Sequence, residues 1–504
     1  MLRTWSVYGI SSVLSRSIAF LLLPVYTRVL SPEEYGIRAM VGLGLEIVGL
    51  LFAFGLKEAI NRFYAGADGT PRAEAASTGL IAHMALIGAG AALGLVSAPW
   101  LAPLLLGDAT LAPFLRLGLV AFFFAHVQEA ALIYLRARRR AVLVAGISVA
   151  NLLAMVCLNL VFVVALRWGV AGIFYAEIVV LGVSGTVLTV RALREIGTTF
   201  VPAIALRMAR FGTPLMFLPL AWLLVNRADV MFVTHYGSLA AVGIYALAVQ
   251  CAQVLMITLV DPFRNFWDPM QFDVARDPDG PRTYRRIFQW FTFASIVAAF
   301  AGAVAVDDVI RIMAAPAFHT AAVVVPVLLI AYALSGIHLL FNTALLVHNR
   351  TTLIAAMAIV TAAVNITVNA WLVPHYLAMG AAIARVATMA TMVVVTFVLA
   401  QRLWRPRPDF VALAKIGTLA VTLFVVSRFL PDLPVVSSLA VKAALVALLV
   451  ALGVWSGAVD RRDVAAAWSL VRGRLLKPGA SKAPSPPDAR PVPAKPGRAS
   501  VTRP

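Results

Sequence analysis

The chain has 504 residues, of which 61% are hydrophobic and 13% charged, with a formal net charge of +19 and a mean hydropathy of +0.90. Soluble domains hold about 45–50% apolar residues, so a soluble fold is excluded and the chain reads as an all-α polytopic membrane protein. The positive charge would suggest nucleic acid in a soluble domain; here its placement along the chain is what matters, and no nucleic-acid partner is expected.

The first stretch, SVYGISSVLSRSIAFLLLPVYTRVLSPEEYG at residues 6–36, is an apolar run of helix length with Arg16 near its middle. Ten residues at about 1.5 Å each put Arg16 about 15 Å deep, half of a roughly 30 Å hydrocarbon core. Only the five residues Met1 to Trp5 precede the run and no A-x-A-like cleavage site follows, so it is expected to be a retained span. Further apolar runs follow at 36–56, 77–105, 113–135, 141–166 and 169–190, then at 212–235, 239–262, 287–306, 321–347, 351–373 and 380–400, and last at 411–430 and 435–457. About fourteen transmembrane helices are therefore expected. Cys157 and Cys251 both fall inside these runs, so neither a disulfide nor a metal site is implied.

Alternate loops carry the cations: Lys57, Arg62 and Arg72; Arg136, Arg138, Arg139 and Arg140; Arg191, Arg194, Arg207 and Arg210; Arg264, Arg276, Arg282, Arg285 and Arg286; Arg350; and Arg402, Arg405 and Arg407. The positive-inside rule then puts both termini in the cytoplasm, as an even span count also requires. The Pro-rich segment beyond residue 459, with ten Lys and Arg, reads as a disordered, basic cytoplasmic tail attracted to anionic membrane lipid.

The halves of the chain resemble each other. VYTRVLSPEEYGIRAM from Val25 aligns with FVTHYGSLAAVGIYAL from Phe232 at an offset of 207, matching Thr27 with Thr234, Ser31 with Ser238 and Gly36 with Gly243. Arg140 meets Arg350 and Asn159 meets Asn369 at 210, and Gly172 meets Gly380 at 208. A six-span unit used twice gives two lobes of the same orientation, related by an axis along the membrane normal, as in transporters with parallel repeats. The division expected is an N-terminal six-span lobe at 1–195, a cytoplasmic linker at 196–211, a C-terminal six-span lobe at 212–402, two additional spans at 403–458 and the tail at 459–504.

LLLPVYTRVLSPEEYG, FGTPLMFLPLAWLLVNRADVMFVTHYGSLAAVGIYALA and VHNRTTLIAAMAIVTAAVNITVNAWLVPHYLAMGAAIA resemble the polysaccharide biosynthesis family of oligosaccharide-lipid flippases. That family lies within a superfamily that includes the multidrug and toxin extrusion transporters and the lipid II flippases. The resemblance covers roughly residues 1–460. It implies an alternating-access transporter of the bacterial inner membrane, moving undecaprenyl-diphosphate-linked oligosaccharide from the cytoplasmic to the periplasmic leaflet for O-antigen, exopolysaccharide or capsule. A polysaccharide polymerase and other biosynthesis proteins are further partners it implies. Two positions depart from the family's pattern. The seventh span reads Asn226, Arg227, Ala228, Asp229 where Asp-Arg is frequent, and Arg385 follows GAAIA where a small or hydroxyl residue is usual.

Carrying an anionic head group through hydrocarbon calls for a hydrated cavity with positive charge. Arg16 is the first candidate, since a guanidinium holds diphosphate oxygens in pairs; the alternative is a structural ion pair. Glu46, also about 15 Å deep counting from Gly36, is its expected charge partner, to be released by substrate or to serve as an H⁺ or Na⁺ coupling site; a static bridge is the other reading. Gln253 is the repeat equivalent of Glu46. Counted from Gly212, Arg227 and Asp229 lie about 22 and 26 Å along their span. Arg227 is read as a second head-group contact or a gate, and Asp229 as gating or structural. Glu177 and Arg385 meet at offset 208, either as an inter-lobe pair or as two residues each satisfied in its own lobe. Asn365 and Asn369, four apart, share a helix face suited to interhelical bonding. His126, His338 and His348 lack ligand spacing, and no metal site is expected. With neither a G-x-x-x-x-G-K-[ST] loop nor a nucleophile and base set, neither ATP drive nor enzyme activity is expected. An ion gradient, the membrane potential or mass action is left as the energy source. A cation-coupled drug antiporter of the same fold and a non-transporting scaffold or glycan-synthesis enzyme are the competing readings; a lipid II-type cell-wall precursor is the competing cargo.

Overall fold

The computed structural model describes residues 22–456 apart from 54, 67–69, 139, 404–408 and 432. Its helices, in chain order, are α1 (Leu23–Val29), α2 (Pro32–Ala53), α3 (Leu56–Tyr64), α4 (Arg72–Leu106), α5 (Ala112–Ala137), α6 (Ala141–Asn159), α7 (Gly169–Ile196) and α8 (Pro202–Gly212). They continue as α9 (Phe217–Tyr236), α10 (Leu239–Ala252), α11 (Asp261–Arg276), α12 (Gly280–Met313), α13 (Ala321–Val347), α14 (Thr351–Leu403), α15 (Phe410–Ser427) and α16 (Val435–Trp455). There is no strand among the described residues. Helix is what a bilayer demands, because it satisfies every backbone polar group within one segment.

Eleven stretches among the described residues are long and apolar enough to cross a membrane, against the fourteen expected. Three places account for the difference. Most of the first expected span, Arg16 included, lies outside the described residues. Helix α9 carries Asn226, Arg227 and Asp229 and is not one of the eleven. Helix α14 counts once but holds two helices joined across Leu377, whose φ of 46° breaks the helical path. The expected gap between runs at 373 and 380 falls on that break.

The repeat is visible in how equivalent helices begin. Ser31 accepts from the Glu34 amide through Oγ while Glu34 accepts from the Ser31 amide, a capping box at the start of α2. Ser238, its equivalent at offset 207, accepts from the Ala241 amide and starts α10. One turn later the two helices cross. A Cβ built on Gly36 would lie 1.8 Å from the Leu239 carbonyl oxygen, and one on Gly243 would lie 1.9 Å from that of Pro32. Pro32 and Leu239 are themselves 207 apart, so the contact is reciprocal: the same two positions of each copy meet the same two of the other. Glycine at both permits backbone-to-backbone approach, as small residues do at helix interfaces in membranes. The largest cluster of buried side chains surrounds this crossing, with Tyr35, Met40 and Val41 from α2 against Val242, Tyr245 and Ala248 from α10.

The expected linker at 196–211 contains α8. Its Ile204 and Met208 pack on Leu56, Ala59 and Phe63 of the amphipathic α3. The segment that begins DPFRNFWDP is the helix α11, and Trp267 is wholly buried there, donating from Nε1 to Thr343 Oγ1 at 2.8 Å. Trp267→Phe removes that bond and is expected to lower stability by about 1 kcal/mol, read as a lower thermal unfolding midpoint in detergent. Helices α15 and α16 dock on α12 through Arg428 to Asp307 at 2.5 Å and Lys442 to Asp308 at 2.7 Å. Only 11% and 6% of their apolar windows are buried, so they turn most of their surface outward.

Candidate functional site

Between α2, α5, α9 and α10 lies a cavity of about 1190 Å³, which the α13 residue Tyr332 and the α14 residue Arg385 also line. On α2 its wall runs from Gly42 through Glu46 and Gly49 to Ala53 and on to Lys57 of α3. The cavity therefore begins beyond the Gly36 crossing and extends away from it along α2. Its charged lining is Glu46, Lys57, Glu129, Arg227, Asp261 and Arg385, interleaved with Trp222, Leu223 and Phe122.

Arg227 donates from Nε to Glu46 Oε2 at 3.0 Å, with both side chains nearly half exposed to the cavity. The carboxylate expected to pair with Arg16 thus pairs with Arg227, and Arg16 lies outside the described residues. Arg227 is also not a turn and a half beyond the level of Glu46. A count from Gly212 overshoots, because α8 ends there and a 3₁₀ turn at Thr213–Met216 precedes α9. Counted from Phe217, Arg227 is ten residues or about 15 Å along its helix, as Glu46 is from Gly36. Lys57 and Glu129 form a second pair at 2.8 Å at the far end of the cavity wall. Gln253 lines the cavity, and one turn before it Gln250 accepts a hydrogen bond from Tyr35.

Two residues on from Arg227, Asp229 points the other way, into the protein, as their spacing requires. It is fully buried. Arg385 approaches its Oδ2 with Nη2 at 2.6 Å and Nε at 2.9 Å, and Tyr245 donates to the same oxygen at 2.5 Å. Oδ1 accepts from the Val230 amide. Arg385 completes its set with Tyr332 Oη at 2.9 Å and the Asn226 carbonyl at 2.5 Å. The pair is closed upon itself: the guanidinium is the counter-ion, and the carboxylate has no oxygen left without a donor.

Glu177 and Arg385 are not partners. Glu177 on α7 lies 4.0 Å from Arg38 on α2, whose guanidinium stands over the Tyr26 ring. The repeat explains the geometry. Arg38 is 207 residues before Tyr245 and Glu177 is 208 before Arg385, so each copy sets a polar contact between the same two positions, a direct ion pair in the first and a tyrosine and arginine joined through Asp229 in the second. The sequence does not single out Arg38, Tyr245 or Tyr332; the 207 offset relates Arg38 to Tyr245, but that they stand opposite Glu177 and Arg385 is visible only in the fold. Asn159 and Asn369, equivalent at offset 210, are both buried. The first accepts from Tyr26 Oη at 2.9 Å, and the second donates to Asn365, which itself donates to Thr388. No group of three or more metal-ligating side chains occurs among the described residues.

Structures with the same fold are known. One, titled lipid II flippase MurJ in an inward closed conformation, superposes with a TM-score of 0.70 at 11% identity over 90% of this chain and 99% of that one. An inward-facing multidrug resistance MATE family transporter of the MOP superfamily gives 0.60 at 15% identity over 79% and 96%. A MOP superfamily transporter from Pyrococcus furiosus gives 0.51 at 15% over 79% and 95%. At these identities the likeness is one of fold. Comparison with curated proteins finds no match. The family model described as polysaccharide biosynthesis protein matches residues 1–267, more than half the chain and inclusive of α2, α9, α10 and the Glu46–Arg227 pair. The chain belongs to the polysaccharide biosynthesis protein family.

Proposed function

We propose that the chain is a flippase that carries a diphosphate-linked oligosaccharide lipid across the bacterial inner membrane by alternating access, with both termini in the cytoplasm. The observation that carries this reading is Arg227. Its guanidinium stands in a cavity large enough for a sugar head group and meets the protein through Nε at Glu46. A guanidinium has five N–H donors in a fork that matches phosphate oxygens, so the two terminal nitrogens are the groups a diphosphate would engage. Glu46 then acts as the internal stand-in for the anion. Because it lies on α2 and Arg227 on α9, cargo that takes Arg227 from Glu46 also releases a contact between the two repeats, coupling binding to their relative motion.

With the termini cytoplasmic, the Gly36 crossing lies at the periplasmic end and the cavity opens toward the cytoplasm, the side from which the cargo comes. The glycan stays in the cavity while the lipid tail remains in the bilayer, and the partners are the lipid-linked oligosaccharide, membrane lipid and the polymerase that consumes the product. The charged and polar groups of the cavity serve transport rather than catalysis. The closed Asp229–Arg385 pair leaves neither oxygen of Asp229 open to a coupling Na⁺.

Proteoliposomes holding a fluorescent lipid-linked oligosaccharide test the reading. Arg227→Gln is expected to weaken head-group binding at least about tenfold, the worth of a charge-assisted hydrogen bond. Glu46→Gln removes the competitor and is expected to tighten it. Flipping by the wild-type protein no faster than in empty vesicles would sink the proposal, and equal losses in both variants would show that the pair merely holds the helices together.

A further inference from the structure

The six charged side chains that line the cavity cancel in sign, and the Glu46–Arg227 and Lys57–Glu129 pairs account for four of them. One group in the wall keeps an unused valence. His126 lines the cavity from α5, and its Nδ1 lies 3.1 Å from the Phe122 carbonyl oxygen. A carbonyl only accepts, so Nδ1 carries the hydrogen and Nε2 presents a lone pair. That nitrogen faces α2 at Gly49, where an added Cβ would stand 3.5 Å from it. Behind it, on α4, the ring of His83 is stacked at 5.8 Å and 25°. His83 is 3% exposed, and neither of its ring nitrogens has a hydrogen-bond partner. A buried imidazole with two orphaned nitrogens is costly, which marks the spot as built for something other than packing.

We infer that the His126–His83 pair is a proton-binding site whose occupancy is coupled to the anion in the cavity. The His126 Nε2 lone pair takes a proton from water in the cavity to form an imidazolium; no other bond changes. Two imidazolium rings so close repel each other, so the pair takes one proton. Glu129, one turn along the same helix, Lys57 from α3 and His83 from α4 surround His126, and Glu46 from α2 and Arg227 from α9 line the same cavity. An imidazolium at 126 competes with Lys57 for the Glu129 carboxylate, freeing the ammonium toward the cavity and leaving the lining at net +1. An anionic head group is then held more tightly, and by linkage the bound anion strengthens the hold on the proton. This deepens the proposed function and rests on it for the identity of the anion.

The test uses the full chain in nanodiscs and a short-chain prenyl diphosphosugar, a diester whose two charges stay constant between about pH 5 and 8. Wild-type affinity is expected to be about tenfold tighter at ~pH 5.5 than at ~pH 7.5, and the double variant His83→Gln/His126→Gln is expected to show no pH dependence. Binding that is independent of pH in the wild type, or dependence that survives in the double variant, overturns the proton site and leaves the diphosphate reading standing. Absence of binding at both pH values overturns the diphosphate reading instead. The proton site is then decided by ¹⁵N-histidine NMR: an imidazolium that forms at His126 on acidification from ~pH 7.5 to ~pH 5 supports it, and neutral rings at 83 and 126 throughout that range overturn it.

Discussion

Asp229→Asn and Arg385→Met are each expected to cost about 3–5 kcal/mol of stability, because each leaves its partner buried and uncompensated. The Asp229 side chain has no solvent exposure and the Arg385 side chain 5%, so water does not screen the survivor. The double variant Asp229→Asn/Arg385→Met is expected to recover most of the loss, since neutral groups of similar volume replace a buried ion pair at little cost. Tyr245 Oη and Tyr332 Oη would still stand beside polar neighbours. Tyr245→Phe, which removes one of several donors to Asp229, is expected to cost about 1 kcal/mol. Thermal unfolding of the purified protein in detergent reads all of these, and single variants that melt with the wild type would show that apolar contact alone holds α9 to α14. Transport by the double variant, counted per folded molecule, is expected to persist. Its loss would give the pair a part in the cycle.

This pair also shows where the sequence stops informing. The helical class, the break near Leu377, the repeat and its offsets, and polar groups at the level of Glu46 were all legible, because length, apolarity and glycine spacing act along the chain. Partner choice was not. Asp229 and Arg385 are 156 residues apart and Glu46 and Arg227 are 181 apart; which of them meet depends on how each helix is rotated about its axis. In a soluble protein an apolar stripe reveals that rotation. Membrane helices are apolar on both the lipid side and the packed side, so the stripe is faint, and the sequence pairs Glu46 with Arg16, at the same reckoned depth on the neighbouring span, rather than with the arginine nearest in space. The depth of Arg227 is hidden from the sequence for a second reason, since the ends of a helix depend on local turns such as Thr213–Met216 that apolar runs do not mark. His83 is one polar residue in an apolar run; that it stacks on His126 from another helix could be read only from the fold.

The second large effect is expected at the crossing of α2 and α10. An alanine at Gly36 or at Gly243 places a methyl group within 1.8 or 1.9 Å of a carbonyl oxygen on the other helix. Both neighbours are backbone atoms of helix ends fixed by the Ser31 and Ser238 caps, so no side chain can yield and the helices must part by roughly 1 Å or more. Overpacking of this kind costs about 1–3 kcal/mol, charged only to the state in which the ends touch. If the two repeats rock about the cavity, that is the state closed on the crossing side, and each substitution should shift the population toward opening there by roughly 5- to 150-fold. Electron–electron distance measurements between spin labels on the first turns of α2 and α10 read the shift, and an unchanged distribution in both variants would refute it. The reciprocal geometry adds a sharper requirement. Because Gly36 against Leu239 and Gly243 against Pro32 are two halves of one contact, Gly36→Ala and Gly243→Ala should produce similar shifts. The double variant should fall well short of their sum, since the first separation already relieves the second overlap. Independent, additive shifts would mean that the two ends bend separately, and that the repeat symmetry of the crossing has no mechanical consequence.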